Sequence, residues 1–288
     1  MPGLGLAVIK NLPYLLKRTL LGAFDDGCFT IAKGAAYSSV LSFFPVTASA
    51  AAILVQTRAD FVLRTMSQFL QQVVPPGTEQ LVLNQFRVKG QRPILLLFFA
   101  SLVSLWSAAS VIKSLMEGFH AAYRIPRSRS FLRETGVAIC LVFLAAIPLI
   151  LASALVLFGS QTERVVLAAM KVDPALNPLS TAWEFFSKVA RYFVAFGATA
   201  SLSATLYYFG PYRKQRWDAV WPGAIFATIL WLGATLGFGW YVRNISNYNV
   251  LYGSIGTSIA LLVWMYLMAA IAILGCEFNA EYERMSAL

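Results

Sequence analysis

Charge is what this sequence has least of. Only 12% of its 288 residues are Asp, Glu, Lys or Arg, while 58% are hydrophobic. Soluble domains carry about 25% charged residues. Half that share, with a mean hydropathy of +0.66, excludes an ordinary water-soluble fold. There is one histidine, His120, so a histidine-rich zinc or dinuclear metal centre is excluded, because such sites need clustered ligands. The three cysteines, Cys28, Cys140 and Cys276, are odd in number and far apart, which implies no disulfide framework. They read as small buried hydrophobes. No Walker loop, dinucleotide fingerprint or low-complexity tract appears. The first twenty residues resemble a secretory signal only superficially: Lys10, Lys17 and Arg18 interrupt the apolar run, and no small-residue cleavage site follows.

What the sequence does have is apolar length. Six stretches meet the requirement of about 20 mostly apolar residues for a bilayer crossing: 34–55, 93–112, 136–158, 192–209, 219–242 and 254–275. The expected fold is an all-α polytopic membrane bundle of six transmembrane helices with amphipathic interfacial helices. It forms one domain over 1–288: an amphipathic amino-terminal segment (1–33), the six-span bundle (34–277) and a carboxy-terminal tail (278–288). In the first segment Ile9, Leu12, Leu16 and Leu20 form an apolar stripe opposite Lys10, Lys17 and Arg18, as in a helix lying among headgroups. Pro13 either kinks that helix or marks its real start.

Orientation follows from basic residues in short loops. Lys113, Arg124, Arg127, Arg129 and Arg133 follow the second span, and Arg213, Lys214 and Arg216 follow the fourth. Both groups fall on the side of Lys10, Lys17, Arg18 and Lys33, which places both termini in the cytoplasm of a bacterial inner membrane. The net charge of +10 is then a basic face toward anionic lipid rather than toward nucleic acid. Residues 58–73, the stretch through Leu81, Leu83 and Phe86, and residues 160–172 carry short helical patterns on the outer side, either interfacial or capping the bundle.

Few residues point to chemistry. Pro45 and Pro148 interrupt spans one and three, and each removes a backbone hydrogen bond. Such kinks suit a transport pathway and also occur in inert bundles. Ser38, Ser39, Ser42, Thr47 and Ser49 in span one, with Thr199, Ser201, Ser203 and Thr205 in span four, either pack helices or line a wet cavity. Gly233 and Gly237 form a GxxxG pair assigned to helix packing. Ser110 and Lys113 match S-x-x-K, a pattern frequent by chance; a lysine at a helix end more often snorkels. No catalytic group, cofactor or metal is expected. The most informative polar residues lie at span ends: Asp25 and Asp26 before span one, Glu117 and His120 after span two, and Glu277, Asn279 and Glu281 after span six. A carboxylate at an apolar boundary needs a partner, and the arginines at 124 to 133, Arg124 and Arg129 among them, are candidates. The group either locks the helix ends by ion pairing or forms a gate or a site for protons or anionic headgroups.

The segment from Tyr248 to Arg284 resembles the signature of the YihY/BrkB family of bacterial inner-membrane proteins. Tyr252, Gly253, Ser254, Gly256, Trp264, Tyr266, Gly275, Glu277, Asn279, Ala280 and Glu281 match, while Cys276 and Phe278 replace the usual Ala and Leu. Ala36-Tyr37, Ser42, Pro45, Leu105-Trp106-Ser107, Tyr123, Arg129, Trp221-Pro222-Gly223-Ala224 and Trp231 match earlier, in order. His120 stands where the family usually has Asn. The resemblance implies six spans with both termini cytoplasmic. It also brings an old tRNA-ribonuclease label, which one histidine and no clustered ligands speak against. A virulence association and a connection with lipid movement complete what it implies. The expectation is a non-enzymatic transporter, or transport-assisting protein, for a lipid or other amphiphile. Its partners would be membrane lipids and envelope proteins, not nucleic acid, and its oligomeric state is open. The alternative is a scaffold that anchors an envelope partner.

Overall fold

The computed structural model describes residues 12–56, 94–126, 129–148, 150, 178–244 and 253–286. The outer-side segments 58–73, 81–86 and 160–172 lie outside the described residues, as do most of the end of span three and the Tyr252 end of the signature. The described residues hold seven α-helices and no strand. These are α1 (Leu12–Asp25), α2 (Cys28–Gln56), α3 (Ile94–Ala122), α4 (Phe131–Pro148), α5 (Pro178–Phe209), α6 (Trp221–Asn244) and α7 (Gly253–Ser286), with a 3-10 turn at Trp217–Val220 before α6.

Helices are the natural outcome here, because an apolar medium leaves backbone N–H and C=O groups no partner but one another. Four described segments are long and apolar enough to cross a membrane: Phe98–Ala122, Phe131–Pro148, Trp217–Tyr241 and Ser258–Ser286. Helices α2 and α5 cover the stretches read as spans one and four, but they are diluted by hydroxyl residues and, in α5, by Glu184, Lys188 and Arg191.

Several boundaries differ from the sequence reading. Helix α3 runs to Ala122 rather than ending near 112, and α5 starts at Pro178 rather than near 192. The supposed tail 278–288 continues α7 to Ser286, with Asn279, Ala280 and Glu281 buried. Hydropathy marks where hydrocarbon is, whereas hydrogen bonding carries a helix on into polar surroundings. In α1 Pro13 falls in the first turn, where its missing N–H costs nothing. The face α1 buries is Leu15, Thr19, Gly22 and Ala23, while Leu12 and Leu20 of the expected stripe are exposed. The helix packs on α7 as well as offering an apolar face to its surroundings.

Helix α7 is the central element, touching α1, α2, α3, α6 and the 3-10 turn. Its close approaches rest on glycine. A Cβ on Gly118 of α3 would stand 2.6 Å from Ile273, and one on Gly223 of α6 would stand 2.6 Å from the Asn279 side chain and overlap the Gly275 carbonyl. The GxxxG pair behaves otherwise: a Cβ on Gly233 or Gly237 meets no described atom within 4 Å. That expectation is corrected. The small residues that let helices approach here are single glycines on facing helices, not a repeat on one.

Burial concentrates toward one end of the bundle. There Ala32, Ala35, Met116, Phe119, Tyr207, Ala224, Ile273 and Cys276 form a continuous core. Away from that end Phe98, Phe99, Leu102, Phe193, Leu236 and Trp240 are exposed, as side chains facing lipid would be.

Candidate functional site

The packed end of the bundle is where α7 stops being apolar. Its last turns read Glu277, Asn279, Glu281, Glu283 and Arg284, a helical spacing that puts 277, 281 and 284 on one face. That face is turned inward, leaving Glu277 0% and Glu281 2% exposed. A carboxylate taken out of water costs several kcal/mol unless cations and hydrogen bonds surround it. The neighbouring helices supply them.

Arg284 lies 3.3 Å from Glu277 and 2.5 Å from Glu281, and it also donates 2.7 Å to the Ala122 carbonyl at the end of α3. Arg18 of α1 pairs with Glu281 at 3.0 Å. Cys28, first residue of α2, directs its thiol at Glu277 over 4.0 Å. Gly22 of α1 lies against the same carboxylate, where a Cβ would stand 2.6 Å from Oε1. Close by, Arg124 donates from Nε to both oxygens of Asp26 at 3.0 Å each, which raises its pKa further. Two left-handed residues shape that junction: Gly27 (φ 68°), which turns the chain between α1 and α2, and Arg124 (φ 55°), which turns it out of α3. Three carboxylates thus meet three guanidinium groups.

Asn279 does a different task. Its Oδ1 accepts the Gly223 N–H at 2.6 Å, and its Nδ2 donates to the Val220 carbonyl at 3.0 Å. The first N–H groups of a helix have no partner within it, so one buried amide closes the start of α6 and fixes it to α7.

The next layer binds the two basic loops. Arg129 donates to the Gly210 and Phe209 carbonyls at 3.1 and 3.2 Å, where α5 ends in a partial negative charge. Gln215 donates to the carbonyls of Tyr207 and Tyr208 just before them. Buried His120 accepts the Tyr212 N–H at Nε2, 3.2 Å away. Tyr207 donates to the Ala272 carbonyl at 2.7 Å, and Arg213 both pairs with Glu283 and stacks 4.1 Å over the Tyr123 ring. Burial holds the Tyr123 phenol well above its usual pKa, so it stays neutral. Beside this layer opens a cavity of about 580 Å³ bounded by Arg129 and the loop from Tyr208 to Gln215.

Of the residues singled out beforehand, the structure therefore gathers Asp26, His120, Arg124, Arg129, Glu277, Asn279 and Glu281 at one end. Asp25 and Glu117 are exposed. Pro45 lies in α2, seventeen residues beyond Cys28, about 26 Å along a helix. The expected pairing of the α7 carboxylates with Arg124 and Arg129 is corrected: Arg18 and Arg284 take that role, Arg124 serves Asp26, and Arg129 serves helix carbonyls. Ser110 donates to the Ser107 carbonyl, and the Lys113 ammonium stands 5.3 and 4.9 Å from the Trp106 and Phe131 rings. Sequence reasoning missed Cys28, Tyr212 and Gln215. Gln215 carries no periodic signal, and Cys28 and Tyr212 acquire meaning only from what folds against them.

Long apolar helices closed at one end by a buried ion network define a polytopic helical membrane protein. The chain belongs to the family of the virulence factor BrkB, which it matches over residues 20–287. Among its relatives is the ribonuclease-like protein YfkH of Bacillus subtilis, 31% identical over 67% of this chain and 68% of YfkH. A UPF0761 membrane protein of Methylibium petroleiphilum is 27% identical over 76% of this chain, a match that spans about half (49%) of the relative. One of Tolumonas auensis is 24% identical over 89% of this chain and 81% of its own length. No solved structure matches the chain.

Proposed function

We propose that this protein moves, or helps to move, a lipid or another amphiphile across the bacterial inner membrane. In this reading it spans the membrane six times, has both termini in the cytoplasm, and catalyses no covalent chemistry. The observation that carries the proposal is the graded packing. The ends of α1, α2, α3, α6 and α7 are fastened by ion pairs and close glycine approaches, while farther along large apolar side chains face outward and Pro45 interrupts α2. A bundle anchored at one end, with a proline leaving one hydrogen bond out of the α2 ladder in the next stretch, can part laterally, and an amphiphile needs such an opening: tails in lipid, headgroup between helices. The hydroxyl residues give weaker support. Ser39, Thr47, Thr199, Ser201, Thr205 and Thr228 donate to carbonyls of their own helices, and Ser38 with Ser114 is the pair that joins α2 to α3. Most of the serines and threonines thus cost the bundle no unpaired polar group rather than forming a polar path.

Reconstitution into liposomes with fluorescent phospholipids tests the reading. Faster exchange of lipid between leaflets than in protein-free liposomes is expected. Equal rates, with candidate envelope partners added, would leave the scaffold alternative in its place.

A further inference from the structure

The cavity beside the ion network has a chemical character that the network does not use. It is bounded by Arg129, Phe209, Tyr212, Arg213 and Lys214. Arg213 is neutralised by Glu283. Arg129 spends two of its five N–H groups on the Gly210 and Phe209 carbonyls. Its guanidinium and that of Arg133 stand 5.0 and 5.6 Å from the centre of the Tyr212 ring, so both cations are held by one aromatic side chain. Among the described residues no carboxylate forms an ion pair with Arg129, Arg133 or Lys214. Three cations therefore converge without an ion-pair partner. Desolvation together with neighbouring Arg133 lowers the Arg129 pKa, and Glu134 and Tyr212 offset this only in part. The C-terminal carbonyls of α5 take two N–H groups of Arg129 and the amide of Gln215, so their partial charge offsets Arg129 only in part and does not serve Lys214 or Arg133.

Location adds to the argument. Arg129 precedes the apolar segment Phe131–Pro148 by two residues, and the loop 210–216 lies immediately before the apolar segment that opens at Trp217. Exposed Phe209 and Tyr212 line the cavity and exposed Trp217 packs on its Tyr208, as aromatic side chains do at the level of lipid headgroups. We infer that the cavity binds a phosphate group, held by the free N–H groups of Arg129 and by the charges of Lys214 and Arg133, with the Tyr212 phenol at its rim. The inference rests on the amphiphile reading only for what the phosphate is attached to. The same donors would take a phospholipid headgroup or free phosphate.

The test is equilibrium binding by the full chain in detergent, with phosphatidylglycerol and phosphatidylcholine as probes and native mass spectrometry as the readout. Lys214→Gln with Arg133→Gln alters two exposed side chains and leaves the helix caps intact. The double variant removes two cationic donors, so phosphatidylglycerol retention is expected to weaken about tenfold or more while phosphatidylcholine changes little. Arg129→Lys, which keeps one charge but not the fork, should weaken it as well. Competition by millimolar inorganic phosphate would identify a free-phosphate site, and resistance to it a lipid site. Unaltered phosphatidylglycerol affinity in the double variant, with an unchanged melting temperature, overturns the proposal. A wild-type protein that binds the lipid but does not speed its exchange in liposomes overturns transport and leaves the site standing.

Discussion

At the scale of single residues, the buried carboxylates of α7 depend on one arginine more than on any other group. Glu277 is fully buried, and its cationic partner is Arg284, which also holds Glu281 and the end of α3. Arg284→Ala would leave Glu277 without that cation and Glu281 with Arg18 alone. Breaking a buried pair in this way costs about 3–5 kcal/mol. A loss of that order is expected in chemical unfolding of the detergent-solubilised protein. Glu277→Gln combined with Arg284→Met should recover part of it, because the combination removes the cation and one of the two charges it neutralised. The Asp26–Arg124 pair is a contrast. Arg124 is exposed, and exposed pairs contribute about 0–1 kcal/mol. Arg124→Gln should therefore leave the same unfolding curve nearly unmoved. Asn279→Ala strips the Gly223 N–H and the Val220 carbonyl of their buried partner at once, so about 2 kcal/mol or more should go. Asn279→Asp, which keeps an acceptor for Gly223 but no donor for Val220, should lie no closer to wild type than that.

At the scale of elements, the bundle is positioned by glycines that face each other across helix pairs. Gly275→Ala would drive a methyl toward the Tyr207 hydroxyl and to 2.7 Å from Ala227, and Gly223→Ala would drive one into α7. Overpacking of this kind costs about 1–3 kcal/mol, so both variants should melt lower and the second should loosen α6 from α7. Gly233→Ala and Gly237→Ala meet no described atom within 4 Å and should be neutral in the same thermal assay. Sequence patterns lose their hold at this point. GxxxG is a one-helix motif, and it misplaced the close approach, which is a property of two helices that one sequence stretch cannot display. The apolar lengths were readable because runs without charge admit few other structures: four described segments are long and apolar enough to cross a membrane, and the third run is described only as far as Pro148 and residue 150. Their ends were not readable, because α3 and α7 carry on past the apolar stretch under backbone hydrogen bonding alone. The polar residues at the span ends could be picked out by composition. Their partners could not, since Arg18 and Glu281 are remote in sequence and meet only after α1 folds back on α7.

At the scale of the whole molecule, the question is whether the fastened end and the rest of the described bundle behave as two parts, and Pro45 is the place to ask it. Proline cannot donate to the Leu41 carbonyl, so α2 is missing one hydrogen bond of its ladder at that level. Thr47 donates its hydroxyl to the Phe43 and Phe44 carbonyls at 2.7 and 3.2 Å, which keeps the local polar groups partnered without restoring that bond. On the side toward Cys28, α2 is held by Ala32, Ala35 and Ala36 in the core, with Tyr37 and Leu41 facing outward; around the proline Phe44 and Val46 are exposed and Ser49 is buried. Pro45→Ala restores the ladder and should raise the melting temperature. If lateral parting of helices admits the amphiphile, the stiffer helix should also slow lipid exchange in liposomes severalfold, while phosphatidylglycerol binding at the Arg129 cavity, whose lining includes no residue of α2, stays unchanged. A variant that is more stable and exchanges lipid at the wild-type rate would assign Pro45 to packing, and the opening would have to be sought between helices other than α2 and its neighbours.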